Sequence, residues 1–296
     1  MDMTPPNDRQ YFFILGTPRS GTTLLKSMLM QSEGVVIPAE THYLGIVSRG
    51  PGEPRAKLDE RQWEAFQNSL IARSITDQVE FDHDHFRALA SRSPRTYAGL
   101  LRSLLDAIGD HSGARVVGEK SPAHTEHAQL LAKMMPEARF VHITRDPRDV
   151  AASHRDVFGK AILGAALRWR TDARADEICR DQMPTGRYQH ICYEDLIASP
   201  EETLRDLCDF LRIEFDQKMT DPSNREDRGF SETKTHVMLT LQPLSKSRIG
   251  RSKEKLSKNE IALVETICRR GMTRLSYSFE SPGAQRAAAQ FFMDAP

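Results

Sequence analysis

The run Phe12-Phe13-Ile14-Leu15-Gly16-Thr17-Pro18-Arg19-Ser20-Gly21-Thr22-Thr23-Leu24-Leu25 constrains this chain more than any other segment. Its apolar half reads as a strand buried on both faces, its middle as a tight turn and its end as the start of a helix. Gly16 and Gly21 bracket a loop whose backbone N–H groups can converge on one anion, and the helix opening at Gly21 adds unpaired donors and the positive end of its dipole. The spacing is that of a P-loop, but Thr22 stands where a nucleoside-triphosphate P-loop carries lysine, which disfavours Mg·ATP chemistry. Arg19 places the cation inside the loop instead, as a planar clamp suited to a terminal oxyanion. An ordinary glycine turn is the bland alternative, and it leaves Arg19, Ser20, Thr22 and Thr23 together without a reason.

A second block, from Arg139 through Arg145-Asp146-Pro147-Arg148-Asp149 to His154, repeats the strand, turn and helix pattern about 120 residues later. Helix capping alone accounts for Asp146, Pro147 and Asp149, whereas Arg145 ahead of the helix is not needed for it. Further apolar runs at 35–37, 115–117 and 188–192 join those at 11–15 and 140–143 as strands. Helical spacing at 22–31, 95–108, 125–134, 148–156, 160–181, 200–212 and 258–272 lies between and after them. The alternation predicts a three-layer, P-loop-like α/β fold with a central parallel sheet and helices on both faces. Both motifs would then face one crevice beyond the strands' carboxyl ends. The least regular segments, 48–54, 80–93 and 220–250, are the expected lids and acceptor-binding loops.

With 41 basic and 41 acidic residues the chain has no polybasic character, so bulk attraction to nucleic acid or anionic membranes is not expected and any anion site must be built locally. Cys179, Cys192, Cys208 and Cys268 lie far apart with no zinc-ligand spacing and read as core residues. His83 and His85 resemble a metal pair, but no further cluster stands at ligand spacing, so no metal is expected. A polar stretch at 1–10, a main domain over 11–277 and a tail or helix over 278–296 are the expected divisions. No apolar stretch is long enough to cross a membrane, and a cytoplasmic, reduced location is the default expectation.

Together the two motifs resemble those of the sulfotransferases, and the similarity continues through Tyr193-Glu194-Asp195-Leu196 and the basic stretch 245–253, covering residues 11 to 277. The resemblance implies that 3′-phosphoadenosine 5′-phosphosulfate (PAPS) is the sulfuryl donor and PAP the product. Pro18, Arg19, Ser20, Gly21, Thr22, Thr23 and Leu24 would then hold the 5′-phosphosulfate and Arg145 with Ser153 the 3′-phosphate. It places Tyr193 at the adenine, and Ser247, Arg248, Arg251 and Lys253 in a loop folding over the phosphates. A hydroxylated small molecule, carbohydrate, lipid or peptide would be the acceptor, and a homodimer is compatible with the reading.

Sulfuryl transfer to a hydroxyl needs a base, cations on the developing negative charge and an in-line donor. Glu40 follows the 35–37 strand, at a carboxyl end near Arg19, and is assigned the base role, with His42 as its rival. Its position also resembles the tyrosylprotein sulfotransferase branch, whose catalytic glutamate lies 21 residues after the loop arginine, as Glu40 does here. Lys120 lies 25 residues before Arg145, again as in that branch, and is read with Arg19 as stabilising the transition state. Cytosolic sulfotransferases instead place a histidine base two residues after their catalytic lysine, where this chain has Pro122. For His124 and His127, capping or acceptor contact is expected rather than catalysis. A P-loop small-molecule kinase and a non-catalytic nucleotide-binding protein are the competing classes, and the first lacks its lysine at Thr22.

Overall fold

Side-chain alternation in β1 (Gln10–Leu15) feeds two separate cores. Tyr11, Phe13 and Leu15 enter one and Phe12 and Ile14 the other. The computed structural model describes residues 9–47, 56–159, 162–221 and 243–283. The other strands are β2 (Val35–Val36), β3 (Val116–Glu119), β4 (Arg139–Thr144) and β5 (Tyr188–Cys192). They form a five-stranded parallel sheet in the order β2-β3-β1-β4-β5. Four successive residues of β1, Phe12 to Leu15, are buried, and each such side chain contributes about 1.5–3 kcal/mol. A slip of one residue would exchange the two faces, so burial on both sides leaves β1 a single register.

The helices on the first face are α2 (Tyr43–Val47), α3 (Glu60–Asp77), α4 (His83–Arg92), α5 (Tyr97–Ser112) and α6 (Ala128–Met134). Trp63, Phe86, Leu101 and Leu131 carry them onto Phe13 and Phe140, whose rings stack at 5.2 Å. On the second face α1 (Thr22–Leu29) and, further on, α9 (Tyr193–Ala198) and α10 (Pro200–Leu211) pack Leu25, Leu196 and Leu204 against Phe12 and Ile14. A third cluster joins α7 (Pro147–Phe158), α8 (Ile162–Gln182) and α11 (Lys258–Arg274) around Trp169. Local chemistry sets the ends: Asp146 caps α7 with Pro147 in its first turn, Gly159 closes it at φ 60°, and Ser257 with Glu260 forms a capping box on α11.

One expected irregular segment is not irregular. Within 80–93, α4 begins at an Asp82 cap and buries Phe86 and Ala90. The segment 48–54 and most of 220–250 lie outside the described residues. Helix α3 was not expected at all, because its buried stripe of Trp63, Gln67, Leu70 and Ser74 is half polar and carries little apolar periodicity.

Under the sheet's second motif, His142 and His190 face each other in register on β4 and β5. His190 Nε2 lies 2.8 Å from the Thr144 hydroxyl, and neither ring nitrogen of buried His142 has a hydrogen-bond partner among the described residues. Burial pushes His190 down to about 4; the His142 ring beside it acts in the same direction, while Asp176 opposes. The unfolded chain therefore takes up a proton near pH 6.5 that the folded chain refuses until about 4. The stability contributed by neutral His190 is complete above pH 6.5 and is lost as pH falls towards 4, by roughly 3 kcal/mol. Urea midpoints from pH 7 to 4 check this: His190→Gln, which keeps an acceptor for Thr144, should show a shallower decline than the parent. Parallel curves would mean that His190 carries no such linkage.

Candidate active site

The turn between β1 and α1 is pinned from two sides before any side chain reaches solvent. Gly16 N–H donates to Thr125 Oγ1 at 2.9 Å and the Thr125 hydroxyl returns a bond to Gly16 O at 3.2 Å. The Ser20 hydroxyl donates to Thr17 O at 2.7 Å and lies 3.2 Å from Ile143 O, which ties the loop to the end of β4. Arg19 adopts φ 77°, a strained conformation for a residue other than glycine. At Gly16, φ is 149°, and a Cβ there would stand 2.5 Å from the Ile143 carbonyl oxygen. At Gly21, φ is 101°, and a Cβ would meet the Tyr193 ring at 2.6 Å. Both glycines are thus required by close approach as well as by backbone angle.

The cleft above this turn is lined by Arg19, Gly21, Thr22, Thr23, Leu24, Arg145, Ser153, Tyr193, Arg248 and Arg251 of the expected donor-site residues, so the two motifs share one site. Sequence reasoning left out Ile197, Pro243 and Leu244, which give the cleft an apolar wall beside Leu24, and Ser245. Pro18, Ser20, Ser247 and Lys253 are not part of the lining. Ser20 is fully buried, exposed Ser247 pairs with Ser245 Oγ at 2.7 Å, and Lys253 reaches Glu280 at 3.6 Å. Tyr193 is largely buried at the cleft wall, with the Arg145 guanidinium over its ring at 4.4 Å.

Three guanidiniums converge here. Burial, followed by the like charges of Arg145 and Arg248, pushes Arg19 down to about 10. Its Nε donates to Ser153 Oγ at 3.2 Å, so in this conformation Arg19 points towards Ser153 and Arg145. Arg145 donates to the carbonyls of Arg248 and, at 3.4 Å, Arg19, and its own carbonyl is held by Trp169 Nε1 at 2.9 Å. Its buried Nε has no hydrogen-bond partner among the described residues. Such a cluster of cations, with a buried donor still unpaired, fits a multiply charged anion.

Glu40, His42 and Lys120 form a second cluster at the carboxyl ends of β2 and β3, outside the lining of that cleft. Lys120 Nζ pairs with Glu40 Oε1, and His42 Nε2 lies 3.6 Å from Glu40 Oε2, so the carboxylate stands between the cation and the rival base. Lys120 is almost wholly buried, whereas Glu40 and His42 are each 35% exposed. Behind them stands Glu119, a buried carboxylate that sequence reasoning passed over as part of the strand before Lys120. It accepts from Thr41 Oγ1 at 2.9 Å and Ser121 Oγ at 2.5 Å, and His124 Nδ1 lies 2.8 Å away. Burial acts to raise Glu119, yet the His124 ring and the three hydrogen bonds outweigh it and hold the group at about 2. His124 is fully buried in this pairing, while His127 is 44% exposed beside Glu126. His83 is bonded to Ser74 and His85 to Asp110, and no group of three metal-ligating side chains occurs among the described residues.

The glycine geometry gives a direct test. Gly16→Ala forces a Cβ into the Ile143 carbonyl and should cost more than about 2 kcal/mol of stability, read as a lowered urea midpoint. An unchanged midpoint would show that the turn can relax away from β4.

The sulfotransferase family profile matches residues 11–217 of this chain. Among curated relatives, Protein-tyrosine sulfotransferase 2 of Gallus gallus is 27% identical over 214 residues, covering 68% of this chain and 50% of that protein. Protein-tyrosine sulfotransferase 1 of Danio rerio is 28% identical over 216 residues, covering 70% and 54%. The chain thus spans about half the length of these relatives. The fold is similar to that of the sulfotransferase domain from the curacin biosynthetic pathway, with a TM-score of 0.64 at 20% identity over 92% of this chain and 99% of the other. It is similar also to the sulfotransferase domain of the Synechococcus PCC 7002 olefin synthase, with a TM-score of 0.63 at 21% identity over 93% and 98%. With the profile covering more than two thirds of its length, this chain belongs to the sulfotransferase family.

Proposed function

We propose that this protein transfers the sulfuryl group of PAPS to a hydroxyl acceptor. The observation that carries the reading is the convergence of Arg19, Arg145 and Arg248 on the cleft at the start of α1, in a chain of the sulfotransferase family. PAPS supplies an activated sulfuryl group on a 5′-phosphate leaving group and a second charge at its 3′-phosphate. In this reading the N–H groups of Thr22, Thr23 and Leu24, which open α1, hold the 5′ end, and Arg145 with Ser153 holds the 3′-phosphate. Leu24, Ile197 and Leu244 offer apolar surface to the base. Four free cysteines fit the reducing, cytoplasmic location expected for such a chain, and no helix among the described residues is long and apolar enough to cross a membrane.

Glu40 takes the acceptor's proton as its oxygen bonds to sulfur, and the sulfur–oxygen bond to the 5′-phosphate breaks to leave PAP. Lys120, freed from its pairing with Glu40 as that carboxylate is protonated, stabilises the charge developing on the transferred group, with Arg19 assisting from the loop. His42 remains the rival base because it touches the same carboxylate.

The donor half is tested by calorimetry with PAP, AMP and ATP, each with and without magnesium. PAP should bind without the metal, and Arg145→Ala should weaken PAP about ten-fold to a hundred-fold, the loss of a charge-assisted hydrogen bond, while changing AMP much less. Equal weakening of both nucleotides, or tighter magnesium-dependent ATP binding, would overturn the assignment.

The base is tested by Glu40→Gln, which keeps size but cannot take the proton. Turnover of PAPS to PAP across a panel of hydroxylated acceptors should fall by about 10²- to 10⁴-fold with PAP affinity nearly unchanged, and His42→Asn should do less. An active Glu40→Gln protein beside an inactive His42→Asn one would transfer the role to His42.

A further inference from the structure

We propose that Glu119 is a positioning residue for the proton-transfer step, a buried carboxylate that sets, through Thr41, Ser121 and His124, where Glu40 meets Lys120. The inference rests on the reading of Glu40 as base. It begins with three consecutive backbone amides. His42 N–H donates to Ser121 Oγ at 3.2 Å, Tyr43 N–H to Thr41 Oγ1 at 3.3 Å, and Leu44 N–H to His124 Nε2 at 3.2 Å. Each of those three side chains then bonds to Glu119: Ser121 and Thr41 donate to Oε1, and His124 to Oε2. The segment that follows Glu40 is therefore fastened, amide by amide, to one carboxylate through one intermediary each.

The proton positions follow from this arrangement. His124 Nε2 accepts from Leu44, so its hydrogen is on Nδ1, where it is donated to Glu119. Glu119 is the last residue of β3 and its neighbour along the chain is Lys120. Both members of the Glu40–Lys120 pair are thus referred to the same atom group, one through the backbone and the other through the amides. His42 is held at φ 49°, outside the range a residue with a Cβ prefers, which requires a network that over-determines it. A core that needed only filling would not need a charge here with three donors, two of them, Thr41 and Ser121, directly following Glu40 and Lys120 in the chain.

Glu119→Gln separates positioning from packing. The amide has nearly the same size but one acceptor oxygen. If that oxygen serves Thr41 and Ser121, its NH₂ faces His124 Nδ1–H, and moving the ring proton to Nε2 sets it against Leu44 N–H. In that orientation either the His124 Nδ1–H or the Leu44 N–H loses its acceptor, and the tie between the segment and residue 119 is broken. With PAP bound, hydrogen exchange of the peptide 40–46 should quicken about ten-fold or more while that of 16–25 stays unchanged, with PAP affinity within about two-fold of the parent. Single-turnover conversion of PAPS to PAP with water as acceptor should fall by about ten-fold or more. In a Glu40→Gln background the same change should lower turnover by less than about two-fold, because no base is left to misplace. Ser121→Ala, which removes a single link, should act in the same direction more weakly, and it carries the test if Glu119→Gln does not fold. Unchanged exchange at 40–46 in these variants, joint loss of PAP binding and turnover, or full additivity with Glu40→Gln would overturn the proposal. Normal turnover in Glu40→Gln alone would instead remove the base assignment, leaving the exchange data to judge the network.

Discussion

A carboxylate taken out of water costs several kcal/mol unless it is paired and hydrogen-bonded, and this fold places two such groups, Glu119 and Asp149, just behind its functional loops. Asp149, in the first turn of α7, accepts Gly250 N–H at 2.8 Å and Ser252 N–H at 2.9 Å and lies 3.5 Å from Arg145. Glu119 does the same for the segment after Glu40. In each case the charge is tolerable only with its loop docked, so charge burial and assembly of the site are one event. A loop fastened in this way has a defined geometry without needing an apolar underside, which leaves its other face free to be polar. That is how the basic stretch after Ser245 can contribute Arg248 and Arg251 to the lining of the cleft at the start of α1 while exposing Ser247 and Lys253.

The arginines impose the opposite constraint. Arg19, Arg145 and Arg248 repel one another within the same cleft, and the cost is visible in the lowered Arg19 value. Packing offsets it: the Tyr193 ring lies beneath Arg145, and Gly21 gives that ring the space a Cβ would take. Carbonyl oxygens of Arg19 and Arg248 also accept from Arg145, so the guanidinium is aimed before any ligand arrives. Preorganised cations of this kind bind an anion without the cost of gathering like charges after it arrives.

What was legible in the sequence is what depends on neighbours along the chain. The five strands lay within a few residues of their observed ends because each is an apolar run, and Gly16, Gly21, Arg19 and Arg145 stood out because a strand-turn-helix unit is local. The parts that were missed arise from contacts far apart in sequence. Nothing near Asp149 signals a partner about a hundred residues away at Gly250, and Glu119 reads as the polar end of a strand until Thr41 is folded against it. The stacking of Arg145 over the Tyr193 ring joins residues on neighbouring strands' ends, and it could not be read before the sheet order was known. Helix α4 escaped for a different reason: it buries only Phe86 and Ala90, too little apolar surface to mark a period.

In the proposed reaction the two clusters divide its requirements along the carboxyl ends of the strands. The arginine-lined cleft, the proposed donor site, lies over β1, β4 and β5, where the turn is pinned by β4 itself. The Glu40 cluster lies over β2 and β3, towards the edge of the sheet, with Lys120 buried and Glu40 partly open. A donor common to a whole family needs the rigid, covered half, since its charges must be met at set distances. In the proposed reaction the acceptor would approach the exposed side of Glu40, where loops rather than strands supply the contacts. Lys120 is fixed by burial on one side and by Glu40 on the other, so in the proposed reaction donor and acceptor would meet at a residue whose position neither substrate has to establish.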